Sequence, residues 1–179
     1  LSDNKPVLIY STRDGYNNSD SVSFTPDYYT CSTPEIEFDG KSFSIKSGSE
    51  YDEIYYSTDG TNPTKNSSCY DGTSVNLNSI CDIKAIEYRD YYNASSVAFY
   101  AIPSLYCEGS IYIREPGSIA KAFEWNETEE NEHLTVTGSI NDADISLLMS
   151  SSYIKYLDIS NATLTNNTLS DSLFNGNTK

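Results

Sequence analysis

Apolar pairs return at a fixed interval of 23 residues through the last third of this chain, and no other feature constrains its fold as tightly. Ile111 and Ile113 are followed by Leu134 and Val136, then by Leu157 and Ile159. One residue separates the members of each pair, the spacing of side chains on one face of a short strand. The interval lies in the roughly 20–29-residue range of repeats that supply a strand and a short helix each. A unit of that size cannot bury its apolar face alone and must stack on a neighbour. Stacked units build extended surfaces, so the pattern points to binding before catalysis.

The residues between the pairs support this. Pro116-Gly117-Ser118 leads into a short helix with Ser118 as N-cap, and Ile119, Ala122 and Phe123 share its inner face. Glu127 to Glu132 reads as an acidic loop. Asn141 caps a second helix with Asp144 at the capping-box position, and Ile145, Leu148 and Met149 face inward. The clearest unit is Ile154-x-x-Leu157-x-Ile159-x-x-Ala162-x-Leu164. With Leu134 to Asn141, Asp144-Ile145, Leu157 to Ser160 and Leu173-Phe174, it resembles the opening units of BspA-type leucine-rich-repeat surface proteins of gut and oral Bacteroidetes. Ala162 stands where that repeat usually has Asn or Cys. The resemblance implies an exported, cell-surface protein whose repeats continue past Lys179. Leu1 to Asn4 reads as a trimmed or mature start.

Residues 34–102 follow a different rule. Glu35-Ile36-Glu37-Phe38 alternates, Asp39-Gly40 turns, and alternation resumes through Phe43 and Ile45. An Asp-Gly turn between alternating runs predicts a hairpin with both turn residues at positive φ. Further strands are expected at 53–57, 74–77, 81–88 and 96–102, a spacing that suggests a sandwich. Ile54 to Thr64 (IYYSTDGTNPT), then Tyr70, Ile83-Lys84-Ala85 and Ser96-Val97, occur in order. Together they resemble the small immunoglobulin-like domain of the chitobiase and β-hexosaminidase C-terminal type, with Cys81 a departure from the usual small polar residue. The expected fold class is therefore mainly β with a smaller α/β part: an immunoglobulin-like β-sandwich followed by leucine-rich-repeat units. The expected division is 1–31, an N-terminal strand segment; 32–103, the sandwich; and 104–179, the repeats. Val7 to Tyr10 and Ser21 to Phe24 read as strands of the first part, either a hairpin or the remnant of a preceding domain. A short linker at 102–108, containing Pro103, should restrict hinge motion.

Chemistry is sparse. The chain has 26 acidic and 11 basic residues, net charge −15, with no basic stripe. Nucleic acid is therefore not an expected partner, and the acidity is read as solubility. No apolar run is long enough to span a bilayer, so membrane attachment would need an anchor outside this fragment. A monomer is expected. The four cysteines at 31, 69, 81 and 107 form no C-x-x-C; three pairings and buried free thiols all stay open. His133 is the one histidine, without a G-x-S-x-G partner motif. The chitobiase-type domain is an accessory part of its enzymes, and no catalytic residue is expected here. Asn141 to Asp144 is oxygen-rich but lacks the Gly and distal Glu of a calcium loop, so it is read as a helix cap. No metal and no cofactor are expected.

The expected site is the open face of the repeat sheet. If the apolar pairs point inward, Tyr112, Thr135 and Asp158 point outward, with Arg114, Thr137 and Ser160 beside them. A host protein or a glycan is the expected ligand. Tyr28-Tyr29, Tyr55-Tyr56 and Tyr91-Tyr92 should each place one ring in a core and one in solvent, the exposed ring suiting sugars or peptides. Sequons occur at Asn17, Asn66, Asn93, Asn126, Asn161 and Asn166, and Asp20-Ser21-Val22 and Asp171-Ser172-Leu173 resemble the short O-glycosylation motif of exported Bacteroidetes proteins. The expected role is adhesion or ligand presentation. The alternatives are an accessory region of a larger glycan-degrading enzyme and a structural stalk.

Overall fold

A computed structural model describes residues 6–25, 27–123, 133–152 and 154–165. The expected acidic loop at 127–132, the sequons at 126 and 166, and the motifs at 171–174 lie outside the described residues. β1 (Val7–Ile9) and β2 (Val22–Phe24) pair antiparallel across a turn at Gly15. Val7, Leu8, Ile9, Val22 and Phe24 are all exposed, so the hairpin belongs to neither of the cores described below.

The alternating stretch forms β3 (Glu35–Phe38), β4 (Ser42–Lys46), β5 (Glu53–Ser57), β6 (Ser68–Cys69), β7 (Val75–Asn76), β8 (Asp82–Tyr88) and β9 (Ala98–Ala101). One sheet has the order β3-β4-β7 and the other β6-β5-β8-β9, with every pair antiparallel. Phe38, Phe43 and Ile45 from the first meet Ile54, Ile83, Ala85 and Ala98 from the second in a single apolar cluster. This is a β-sandwich. The Asp-Gly turn differs from expectation: only Gly40 has positive φ. Asp39 stays out of that region because its carboxylate accepts from Lys41 N–H (2.9 Å), Ser42 N–H (2.7 Å) and the Ser42 hydroxyl (2.7 Å), closing a wider loop. Burial opposes ionisation of Asp39, but these donors hold its carboxyl below its ordinary range.

The remaining chain gives β10 (Ser104–Cys107), β11 (Ser110–Ile113), α1 (Ile119–Phe123), β12 (His133–Ile140), α2 (Asp142–Ser150), β13 (Tyr156–Asp158) and β14 (Ala162–Leu164). β10 occupies most of the stretch read as a linker. It pairs antiparallel with β11, while β11, β12 and β13 run parallel. β14 pairs with the second half of β12. The apolar pairs face one core: Ile111, Ile113, Leu134 and Val136 are buried with Ile119, Ile140, Ile145 and Leu148. Leu157 and Ile159 pack on it only partly buried. The register departs from the sequence interval once. Leu134 stands opposite Leu157, but Ile111 stands opposite Val136, two residues beyond Leu134. A two-residue shift preserves facing, so the inside–outside assignment survives it. At Gly138 (φ 89°) β12 changes partner from β13 to β14; a Cβ there would lie 2.0 Å from the Ile113 carbonyl oxygen.

Asn141 caps α2 as expected, accepting from the Ala143 and Asp144 N–H groups. Asp144 does more than complete the capping box. It is fully buried, and its carboxylate accepts from the N–H groups of Asn141 (3.0 Å), Gly117 (2.7 Å) and Ile119 (3.1 Å). The start of α1 is thus capped from α2. Ser118, expected in that role, instead donates its hydroxyl to the Pro103 carbonyl.

Two further contacts join the halves. Tyr106 N–H donates to Gly40 O, and a Cβ on Gly40 would sit 2.3 Å from the Lys121 carbonyl oxygen. Within β10, Leu105 belongs to the sandwich core and Tyr106 to the other core, so one strand serves both.

Candidate recognition face

Strand alternation places the outward side chains of the parallel sheet in rows. One row runs Cys107, Ser110, Thr135, Asp158 across four strands; the next runs Leu105, Tyr112, Thr137. Tyr112 and Asp158 are exposed, and Thr135 and Thr137 half-buried. Four of the six expected site residues therefore share one face. The other two are placed differently. Arg114 follows β11 and reaches across to Asp82 of β8, Nη1 to Oδ1 at 2.5 Å, so its charge is engaged by the sandwich. Ser160 lies in the turn after β13, where its N–H donates to Asp158 Oδ1 at 2.9 Å. The Ser160 hydroxyl and N–H hold the Asp158 carboxyl below its ordinary range, so it is an anion at neutral pH.

A third row begins one step earlier along the strands. His133 stands opposite Tyr156, and their rings stack with centroids 4.5 Å apart and planes 11° from parallel. Both are exposed. Sequence reasoning weighed His133 only as a catalytic base and passed over Tyr156. Extending the alternation two residues back from Thr135 and Asp158 would have found both. At the opposite edge, a groove of about 370 Å³ lies between the face and the 78–80 loop, lined by Asn78, Ile80, Leu105, Cys107, Tyr112 and Thr137. The face thus offers an aromatic pair, a hydroxyl-rich middle, one carboxylate, and a groove with a tyrosine on its wall. Such a surface suits a ligand with apolar faces and many hydroxyl or amide groups. Among the described residues, no group of three His, Cys, Asp or Glu side chains is placed to hold a metal ion.

Of the tyrosine pairs, only Tyr55-Tyr56 lies on a strand; Tyr56 packs against the sandwich core, edge-on to Phe43. Tyr28-Tyr29 and Tyr91-Tyr92 lie in irregular segments, each with one half-buried and one exposed ring. All four thiols are free; Cys31 is buried and Cys69 exposed. Burial pushes the Cys31 and Cys81 thiols up, away from the reactive thiolate.

Residues 43–100, from β4 to β9, match the family described as Fn3 associated. The match is consistent with an immunoglobulin- or fibronectin-like module in the sandwich. No curated protein matches the chain.

Proposed function

We propose that this chain is a non-catalytic recognition fragment of an exported surface protein, with the outward face of the β10–β13 sheet as its binding surface. The observation that carries the reading is the register: it gathers His133, Tyr156, Thr135, Asp158, Tyr112 and Thr137 on one face of a parallel sheet. β11, β12 and β13 return in parallel after segments containing α1 and α2, as stacked strand-and-helix units do. That supports reading residues 104–179 as the opening units of a BspA-type leucine-rich-repeat region. The sandwich, of the chitobiase C-terminal type in this reading, acts as a spacer or accessory unit. The ligand is a host protein or a glycan, and nucleic acid is repelled by the net charge of −15. The chain works as a monomer, and any membrane attachment is through an anchor elsewhere in the protein.

The test is a screen of the chain against arrayed glycans and extracellular-matrix proteins, repeated with Tyr112→Ala and Tyr156→Ala. The reading requires saturable capture of at least one ligand. Each variant should weaken it roughly tenfold, the loss of one well-packed aromatic contact, with an unchanged melting temperature. Equal capture by wild type and both variants would rule the face out.

A further inference from the structure

The sandwich carries a second, separate feature. A cleft of about 570 Å³ is lined by Tyr28, Lys65, Tyr88, Arg89, Tyr91 and Tyr92, with Asp90 and Asn93 also on its wall. Most of its wall is the end of β8 and the loop after it, Tyr88 to Asn93, and the fold brings Tyr28 and Lys65 to that loop from distant parts of the chain. Asn93 fixes the arrangement: its N–H donates to Tyr29 O (2.8 Å), its side-chain amide to Tyr28 O (2.9 Å), and its own carbonyl accepts from Cys31 N–H (2.9 Å).

Both cations are held against rings. The Arg89 guanidinium carbon lies 4.4 Å from the Tyr92 ring centre and 5.2 Å from that of Tyr51, and Lys65 Nζ lies 5.3 Å from that of Tyr88. Neither makes an ion pair within 4.0 Å among the described residues. A guanidinium with rings against its faces keeps its in-plane N–H fork available, and that fork matches a planar carboxylate. Tyr91 sits at the rim, 76% exposed, with φ of 65°. A bulky residue pays for that conformation in strain, and such strain persists where the surroundings impose it.

We propose that this cleft binds a uronic-acid-containing glycan. The tyrosine faces take the C–H faces of the sugar rings. Arg89 forks onto a ring carboxylate, Lys65 supplies a second positive charge, and Asp90 and Asn93 accept or donate hydrogen bonds to hydroxyls. A neutral glycan would leave both cations without partners. The overall charge of −15 does not oppose this at physiological salt, where charges beyond about 8 Å are largely screened.

The experiment is calorimetric titration of the chain with a galacturonic-acid tetrasaccharide and, separately, with a galactose tetrasaccharide, at about 0.15 M and about 0.5 M NaCl. Saturable binding of the acidic sugar is expected, roughly tenfold or more tighter than the neutral one and weakened by salt. Arg89→Gln should lose about tenfold or more, and Arg89→Lys should recover only part of that. Lys65→Gln should lose affinity with no change in melting temperature, and it decides the matter if Arg89→Gln misfolds. Phe99→Ala, which removes an exposed ring on β9 outside both proposed sites, should bind the acidic sugar normally. No saturable binding of the acidic sugar, equal binding of both sugars, or undiminished binding by Lys65→Gln would each overturn the proposal.

Discussion

Glu87 is the residue most at odds with its surroundings. It is fully buried on β8, and among the described residues neither carboxyl oxygen has a hydrogen-bond partner in good geometry; Oδ1 of neighbouring Asp52 is also buried without one. Burial pushes the Glu87 carboxyl up. The Ser47 hydroxyl and Gly48 N–H pull it down less effectively, and the Asp52 carboxyl pushes it up again. A raised folded-state value means that the folded chain holds the proton more tightly than the unfolded chain. The resulting stabilisation is complete below about pH 4.5 and is lost as pH rises through the folded value. Glu87→Gln should therefore stabilise the protein at pH 8 by about 1–3 kcal/mol, roughly 2–4 °C per kcal/mol, and gain little at pH 4. Melting temperatures at the two pH values check this; a variant less stable at pH 8 would contradict it. The burial was partly legible, since Ile83, Ala85 and Glu87 alternate in phase. The partnerless carboxyl was not, because its neighbours come from a loop some forty residues away in the chain.

Among the elements, those with local signals were readable. The cap of α2 is written in Asn141 and Asp144, and the sequences of β3 and β4 alternate apolar and polar residues. β6 and β7 are two residues long, too short for any period to show. β10 is buried on both faces, with Ser104, Leu105 and Tyr106 all inside, so it has no alternation and passed for a linker. The start of α1 was misread because its capping carboxylate, Asp144, is 25 residues away from Ile119. That difference can be measured. Asn141→Ala removes one cap and should cost about 1 kcal/mol. Asp144→Ala leaves three N–H groups on two elements without their acceptor and should cost roughly 2–4 kcal/mol. Urea denaturation of the two variants compares them, and equal losses would show that Asp144 serves α2 alone.

At the scale of the whole molecule, the candidate face was legible because facing depends only on whether a position is odd or even along a strand. The two-residue shift between β11 and β12 left that parity intact. The cleft at Arg89 was not, because Tyr28, Lys65 and Tyr92 have no sequence relation before the fold unites them. The two cores meet through Leu105 and Tyr106, through Gly40 against Lys121, and through Arg114 with Asp82. The described chain should then unfold in one cooperative transition. Leu105→Ala should destabilise it by about 2–5 kcal/mol without splitting that transition. Separate melting of two parts in calorimetry would show that the cores are independent. β10 also bears on how such a chain can be inherited. A recombination event joining a foreign sandwich to these parallel strands would have to bring the donor's equivalent of Leu105 while keeping the recipient's Tyr106. Successful exchanges should therefore be those whose crossover falls inside β10, between Leu105 and Tyr106.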